Sequence, residues 1–484
     1  MSNTEKNGNA SPDETPKTES IKANLSKKDE HYRNLILNAP MWKVVLFIGT
    51  PLALYQSMSQ VFVILDTMMA SHISPISVSA VAYLAQINFL ISAFGTGLAT
   101  GAGIMISLAY GQGNYVLVRK RVSSIYVLSL IIGCVLLLAI FPFATQFLKL
   151  AGTPDDLIRE GVSYFKVELL TMVCTFINNV YISVERARGY SKRILYLNLL
   201  VISTKLLLTA LFVYVLNGSL TMIAMASLIS QIILLIFAVK NSISKDNAFG
   251  FSAKCITADK KVNLPMIKTS IPIISEKILF ASGKTIVNSM CSVYSSLMVG
   301  AMGVSNNLGG ITTNPQNGFQ EGTASVISQN FGAKKNNRVL QAFYWTIVIN
   351  VIVSFILSSL TVIFLNPLSH LFDGGDPAFQ KMIILVYRYE AVGAVPLGIY
   401  ASVMALLFGL GKTKLTMILN VSRVFVFRIP VFWFLQNFTN YGESSVGIVM
   451  MVSNVSVAVM GILTSIIVVS KYKKEWKTAK EPGP

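Results

Sequence analysis

The chain has 484 residues, of which 53% are hydrophobic and 13% charged, with a mean hydropathy of +0.60. A soluble surface carries about 25% charge, so a soluble enzyme or a secreted domain is disfavoured at once. Forty Lys and Arg against 22 Asp and Glu leave a formal charge of +18, which in a membrane protein reads as basic loops on one side rather than a nucleic-acid surface.

Residues 1–40 are polar and mixed in charge. They read as a disordered cytoplasmic tail, since a cleavable signal needs an early apolar core. Runs able to cross a bilayer, about 20 apolar residues each, follow near 43–70, 78–109, 122–148, 161–184, 194–216 and 219–240, making a first lobe over 41–240. A basic polar linker covers 241–268. A second lobe, 269–470, holds runs near 269–299, 307–330, 340–367, 383–409, 415–437 and 444–470, and 471–484 is a second cytoplasmic tail. The predicted fold is all-α: a polytopic membrane protein with twelve transmembrane helices in two six-helix lobes.

The loops alternate in charge. One set carries Arg119, Lys120 and Arg121; Arg186, Arg188, Lys192 and Arg193; the linker lysines; Lys334, Lys335 and Arg338; Lys412 and Lys414; and Lys471, Lys473 and Lys474. The other set is poor in Lys and Arg. By the positive-inside rule both termini and the linker are cytoplasmic, in a multi-pass protein of the cell membrane.

At a shift of about 221 residues, Gly97, Gly101, Ser107, Gly111 and Pro51 fall on Gly318, Gly322, Ser328, Gly332 and Pro272. Equivalent loops are basic in both copies, so the halves face the same way. Parallel repeats with substrate bound between them are typical of secondary transporters. The matched Pro51 and Pro272 lack a backbone N–H and are candidate hinges.

Four stretches in order over residues 40–470 resemble the multidrug and toxic compound extrusion (MATE) family: VILDTMMASHISPISVSAVA, GLATGAGIMISLAYGQGN, the loops ERARGYSKR and FGLGKTK, and SVISQNFGAKKNNRV. The resemblance implies a V-shaped exporter with alternating access. It exchanges an amphipathic, often cationic, organic compound for protons or sodium ions. A monomer in a lipid bilayer, binding a small organic solute and no nucleic acid, is expected.

An ionisable group inside the membrane is costly and needs a reason. Asp66 in the first run shares a helix face with Gln60, and the resemblance gives it a role in cation coupling. At Lys205 and Thr209 one branch of the family carries Asn and Asp, and Ser227 matches a Ser/Thr position of the same site. Lysine offers no oxygen to a metal cation, so an Asp66–Lys205 pair coupling protons or substrate is expected in place of a sodium site. Glu276 is the coupling candidate of the second half, with Lys284 two turns on. Asn178, Asn179, Gln60 and Lys284 are candidates for the substrate path. Glu321, Arg388, Glu390, Arg423 and Arg428 read mainly as structural pairs or interface anchors.

No enzyme and no bound cofactor or metal is predicted. GLGKT at 409–413 lacks the first Gly of a phosphate loop, with Leu406 in its place, and no H-E-x-x-H or G-x-S-x-G occurs. Four cysteines show no metal or disulfide spacing. The competing reading is a flippase of lipid-linked saccharides from the same superfamily, which Lys205 and Lys284 keep open.

Overall fold

The computed structural model describes residues 24–70, 75–243, 247–373 and 375–478, without the side chains of 62–68, 70, 75–79, 82, 296, 477 and 478. Its α-helices in chain order are α1 (Lys27–Asn38), α2 (Met41–Ala70), α3 (Pro75–Gly111), α4 (Tyr115–Ile140), α5 (Ala144–Leu150), α6 (Asp155–Arg188), α7 (Ser191–Ala210) and α8 (Leu220–Ser242). The second half has α9 (Lys260–Cys291), α10 (Ser296–Gly332), α11 (Asn336–Ile363), α12 (Leu365–His370), α13 (Pro377–Val392), α14 (Ala394–Gly409), α15 (Thr413–Phe425), α16 (Ile429–Phe438) and α17 (Ser444–Thr478). Every apolar run of the sequence is helical, as one helix or two in succession.

Nine helical segments among the described residues are long and apolar enough to cross a membrane, and α13 with α14, bent by 49° at Gly393, makes a tenth. The two remaining runs, α9 and α10, have 32 and 37 residues. Their length suffices to span, but lysines in α9 and Asn, Gln and Thr in α10 make them polar. Both pack along the seam between the halves, α9 on α3 and α10 on α2. Around the bundle, large apolar side chains such as Leu138, Leu207, Phe355 and Ile467 are exposed, as a lipid-facing surface requires.

The two halves pack by one plan. In the first, α3 lies on α6, α6 on α8 and α2 on α7; in the second, α10 lies on α13 and α14, these on α17, and α9 on α15. Across the seam α2 packs on α10 and α3 on α9, so each half sets its first long helix against the other's second.

Glycines mark these crossings, and their contacts are reciprocal. A Cβ on Gly318 would strike the backbone of Ala53, and one on Gly97 would strike Ile274, the repeat mate of Ala53. A Cβ on Gly111 would meet the carbonyl of Gln329, and one on Gly332 that of Leu108, again mates. Close backbone approach between small residues is how membrane helices gain packing contacts.

Three boundaries differ from the sequence reading. The expected tail is not unstructured throughout: residues 27–38 fold as α1. Ser26 and Asp29 form a capping box, and Asp29, Ile36 and Leu37 are buried, which a polar composition conceals. Helix α9 starts at Lys260 inside the expected linker. Finally, α2 and α9 run unbroken through Pro51 and Pro272. The breaks lie elsewhere: a π-helical turn at Leu211–Val215, the bend at Gly393, and the interruption between α15 and α16.

Helix α1 lies across the end of the bundle that carries the basic loops and touches both halves. Asp29 is fully buried and pairs with Arg188 at 3.0 Å, and Arg188 also pairs with Glu185 at 2.8 Å. Asn247 donates to Asp29 at 2.9 Å, and the Tyr110 hydroxyl donates to its carbonyl at 2.9 Å. On the second half, Arg338 donates to the carbonyls of Ile36 and Ala39, and Lys335 to that of Leu37, at 2.8–3.0 Å. Cations thus satisfy the C-terminal carbonyls of α1.

Candidate functional site

A cavity of about 600 Å³ lies between the halves. The first half contributes Gln56, Thr100 and Ser107; the second contributes Glu276, Lys284, Asn317, Tyr400, Asn420 and Arg423. Toward the basic loops the halves close beneath it. Ser107 and Ser325 share a hydrogen bond of 3.1 Å, Gln329 donates to the carbonyl of Ala187 at 3.0 Å, and Arg186 pairs with Glu321 at 2.5 Å. Nearer the other end of α2, Gln60 accepts from Asn314 at 3.0 Å and donates to Asn307 at 3.4 Å, joining the halves rather than lining the cavity.

Glu276 is buried in the cavity wall. Asn420 donates to its Oε1 at 2.5 Å, while Oε2 has no hydrogen-bond partner. The Tyr400 hydroxyl donates to Asn420 Oδ1 at 2.8 Å, which fixes the amide so that its NH₂ faces the carboxylate. Lys277, Lys284 and Arg423 line the same cavity. No group of three or more His, Cys, Asp or Glu residues able to hold a metal occurs among the described residues.

The candidates of the first half fall differently. The Asp66 side chain lies outside the described residues, and with it any contact to Lys205. Lys205 is half-buried on α7. Thr209 is fully buried with its hydroxyl unpaired, and Ser227 donates to the carbonyl of Ile223. Asn178 donates to the carbonyl and side-chain oxygen of Gln231 at 2.9 and 2.8 Å, tying α6 to α8. It and Asn179 lie outside the lining of the main cavity, whereas Lys284 belongs to it.

Residues that read as structural sit at the site. Arg423, Arg428 and Glu390 all line the cavity, and neither arginine has a carboxylate within 4.0 Å among the described residues. The signal available in the sequence was the cost of so many cations in apolar runs.

The MatE family model matches the chain twice, over residues 51–211 and 272–434, with starting points at the spacing of the internal repeat. The "Probable multidrug resistance protein YoeA" of Bacillus subtilis (strain 168) is 22% identical over 380 residues, spanning 75% of this chain and 80% of its own. A crystal structure of MATE in complex with MaL6 superposes with a TM-score of 0.88 at 18% identity, covering 93% of this chain and all of that one. An outward-facing multidrug resistance MATE family transporter of the MOP superfamily gives 0.87 at 18% identity, covering 93% and 99%. With two copies of the family pattern laid over two halves that cross reciprocally around one polar cavity, the chain belongs to the MATE family of multidrug transporters.

Proposed function

We propose that this chain is a proton-coupled secondary exporter, carrying amphipathic organic compounds out of the cell by alternating access between its two lobes. The basic loops and both termini face the cytoplasm, and the cavity is the solute path. The observation that carries the reading is Glu276, a carboxylate buried where both halves reach, with one oxygen held by Asn420 and the other unpaired. An unpaired oxygen at a cavity wall can take up and release a proton as the cavity changes sides. The cations Lys277, Lys284 and Arg423 in the same lining offer no oxygen to a sodium ion, and this supports a proton as the coupling ion. Closure at the basic-loop end agrees with the outward-facing relative.

The test is transport by the full chain in lipid vesicles, loaded with a fluorescent dye. A proton gradient alone is expected to drive dye movement and a sodium gradient alone is not. Equal rates under sodium alone would overturn proton coupling, and no movement under either would overturn the exporter.

In the first half, Lys205 holds a position where an oxygen-bearing Asn would serve a sodium site. Lys205→Asn is therefore expected to make dye transport respond to added sodium. An unchanged sodium response would count against a coupling role for Lys205.

A further inference from the structure

We infer that the second half carries a binding site for an oxyanion, a carboxylate or phosphate group on an amphipathic molecule, formed by Lys284, Arg423 and Arg428. The inference rests on the cavity being the solute path, and it departs from the cationic substrates that the family resemblance implies.

The site is built by a broken helix. α15 ends at Phe425 and α16 starts at Ile429, so Arg428 stands at the N-terminal end of α16, on the cavity wall. Arg428 is 3% exposed. Its Nε donates to Ser453 Oγ at 3.1 Å and its Nη2 to Asn454 Oδ1 at 3.4 Å. Arg423 donates to the same Asn454 oxygen from Nε at 3.2 Å and Nη2 at 2.7 Å, and its guanidinium lies 5.8 Å from the Phe280 ring. Two guanidinium groups therefore converge on one neutral amide oxygen.

Lys284 reaches the same cavity from α9, exposed to it, and forms no hydrogen bond or ion pair among the described residues. Glu390 is the carboxylate at this end of the cavity. It accepts from Ser305 Oγ at 2.5 Å and makes no ion pair with the three cations among the described residues. Glu276 is engaged by Asn420, and Glu321 by Arg186.

Glu390, on the same cavity wall, is one negative charge facing three positive ones; the uncompensated remainder is costly away from water, and like charges add repulsion. An anion entering the cavity removes both costs. Guanidinium groups match planar carboxylates and phosphates with paired hydrogen bonds. Phe280, Leu397, Tyr400 and Phe408, also in the lining, give an apolar body something to pack on.

The experiment measures fluorescence polarisation of carboxyfluorescein with the purified full chain in detergent. The wild type is expected to bind it. Lys284→Gln and Arg423→Gln are expected to bind about tenfold more weakly or worse, the loss of one charged hydrogen bond, while Lys284→Arg retains binding. Lys284 decides the matter, because its side chain is exposed and its loss leaves no buried group unpaired; a monodisperse size-exclusion profile confirms each fold. Ethidium, a permanent cation, is expected to bind these variants as well or better, since each loses a positive charge. A soluble phosphate monoester and a polyprenyl pyrophosphate serve as separate competitors, and the one that displaces the dye at lower concentration shows whether the anion is a free solute or a lipid headgroup. No dye binding by the wild type, or equal binding by Lys284→Gln and Arg423→Gln, would overturn the site. Ethidium transport without anion binding would sink this inference and spare the exporter. Anion binding without transport of either dye would do the reverse.

Discussion

Replacing Glu276 by Gln is expected to reduce gradient-driven export to the leak of empty vesicles. Glutamine matches the shape of the side chain and keeps an oxygen for the Asn420 amide, so the wall of the cavity stays filled. It cannot exchange a proton. An imposed proton gradient then has nothing to act on at this position, while solute binding in detergent survives. Glu276→Asp, which restores the titratable group on a shorter arm, is expected to recover part of the activity. The check is dye movement in vesicles under an acid pulse, with binding measured on the same preparations. If the glutamine variant pumps at the wild-type rate, coupling resides elsewhere, and Asp66 becomes the first residue to test.

Asp29→Ala is expected to release α1. The carboxylate is fully buried, and three groups converge on it: Arg188, Ser26 and Asn247. Breaking a buried ion pair costs about 3–5 kcal/mol, and the lower end applies here because Arg188 keeps Glu185 as a partner at 2.8 Å. That cost falls on local docking rather than on the whole bundle. Amide hydrogen exchange over residues 27–38 should therefore accelerate by about two orders of magnitude, at about 1.4 kcal/mol per tenfold. Exchange rates identical to wild type would show that the pair holds nothing in place. The same carboxylate sets a pH response. Burial pushes its pKa up, but the Arg188 charge and hydrogen bonds from Arg188, Ser26 and Asn247 outweigh this and hold it below the ordinary value. Its contribution is then complete above about pH 4 and disappears as pH falls through the lowered value.

The helical runs were legible because a bilayer demands long apolar stretches, and every such stretch of the sequence is helical. The repeat was legible through Gly97 and Gly318, since only small residues fit where backbones cross. Helix α1 was hidden by its polar composition, and the capping pair Ser26 and Asp29 was its local sign. The cation cluster was illegible for a different reason. Lys284, Arg423, Arg428 and Asn454 come from separate helices, and nothing in their spacing says that they meet. The interruption before Ile429 has one marker, Pro430 at the start of α16, whereas Pro51 and Pro272 lie in helices that continue past them.

Helix α1 is held by Arg188 and Gly111 on one side of the seam and by Asn330, Lys335 and Arg338 on the other. Parting the halves at that end therefore stretches or breaks one of the two sets of bonds. Under the proposed alternating access, opening at that end is coupled to release of this short segment from one half, and a fluorophore placed on it would report the step.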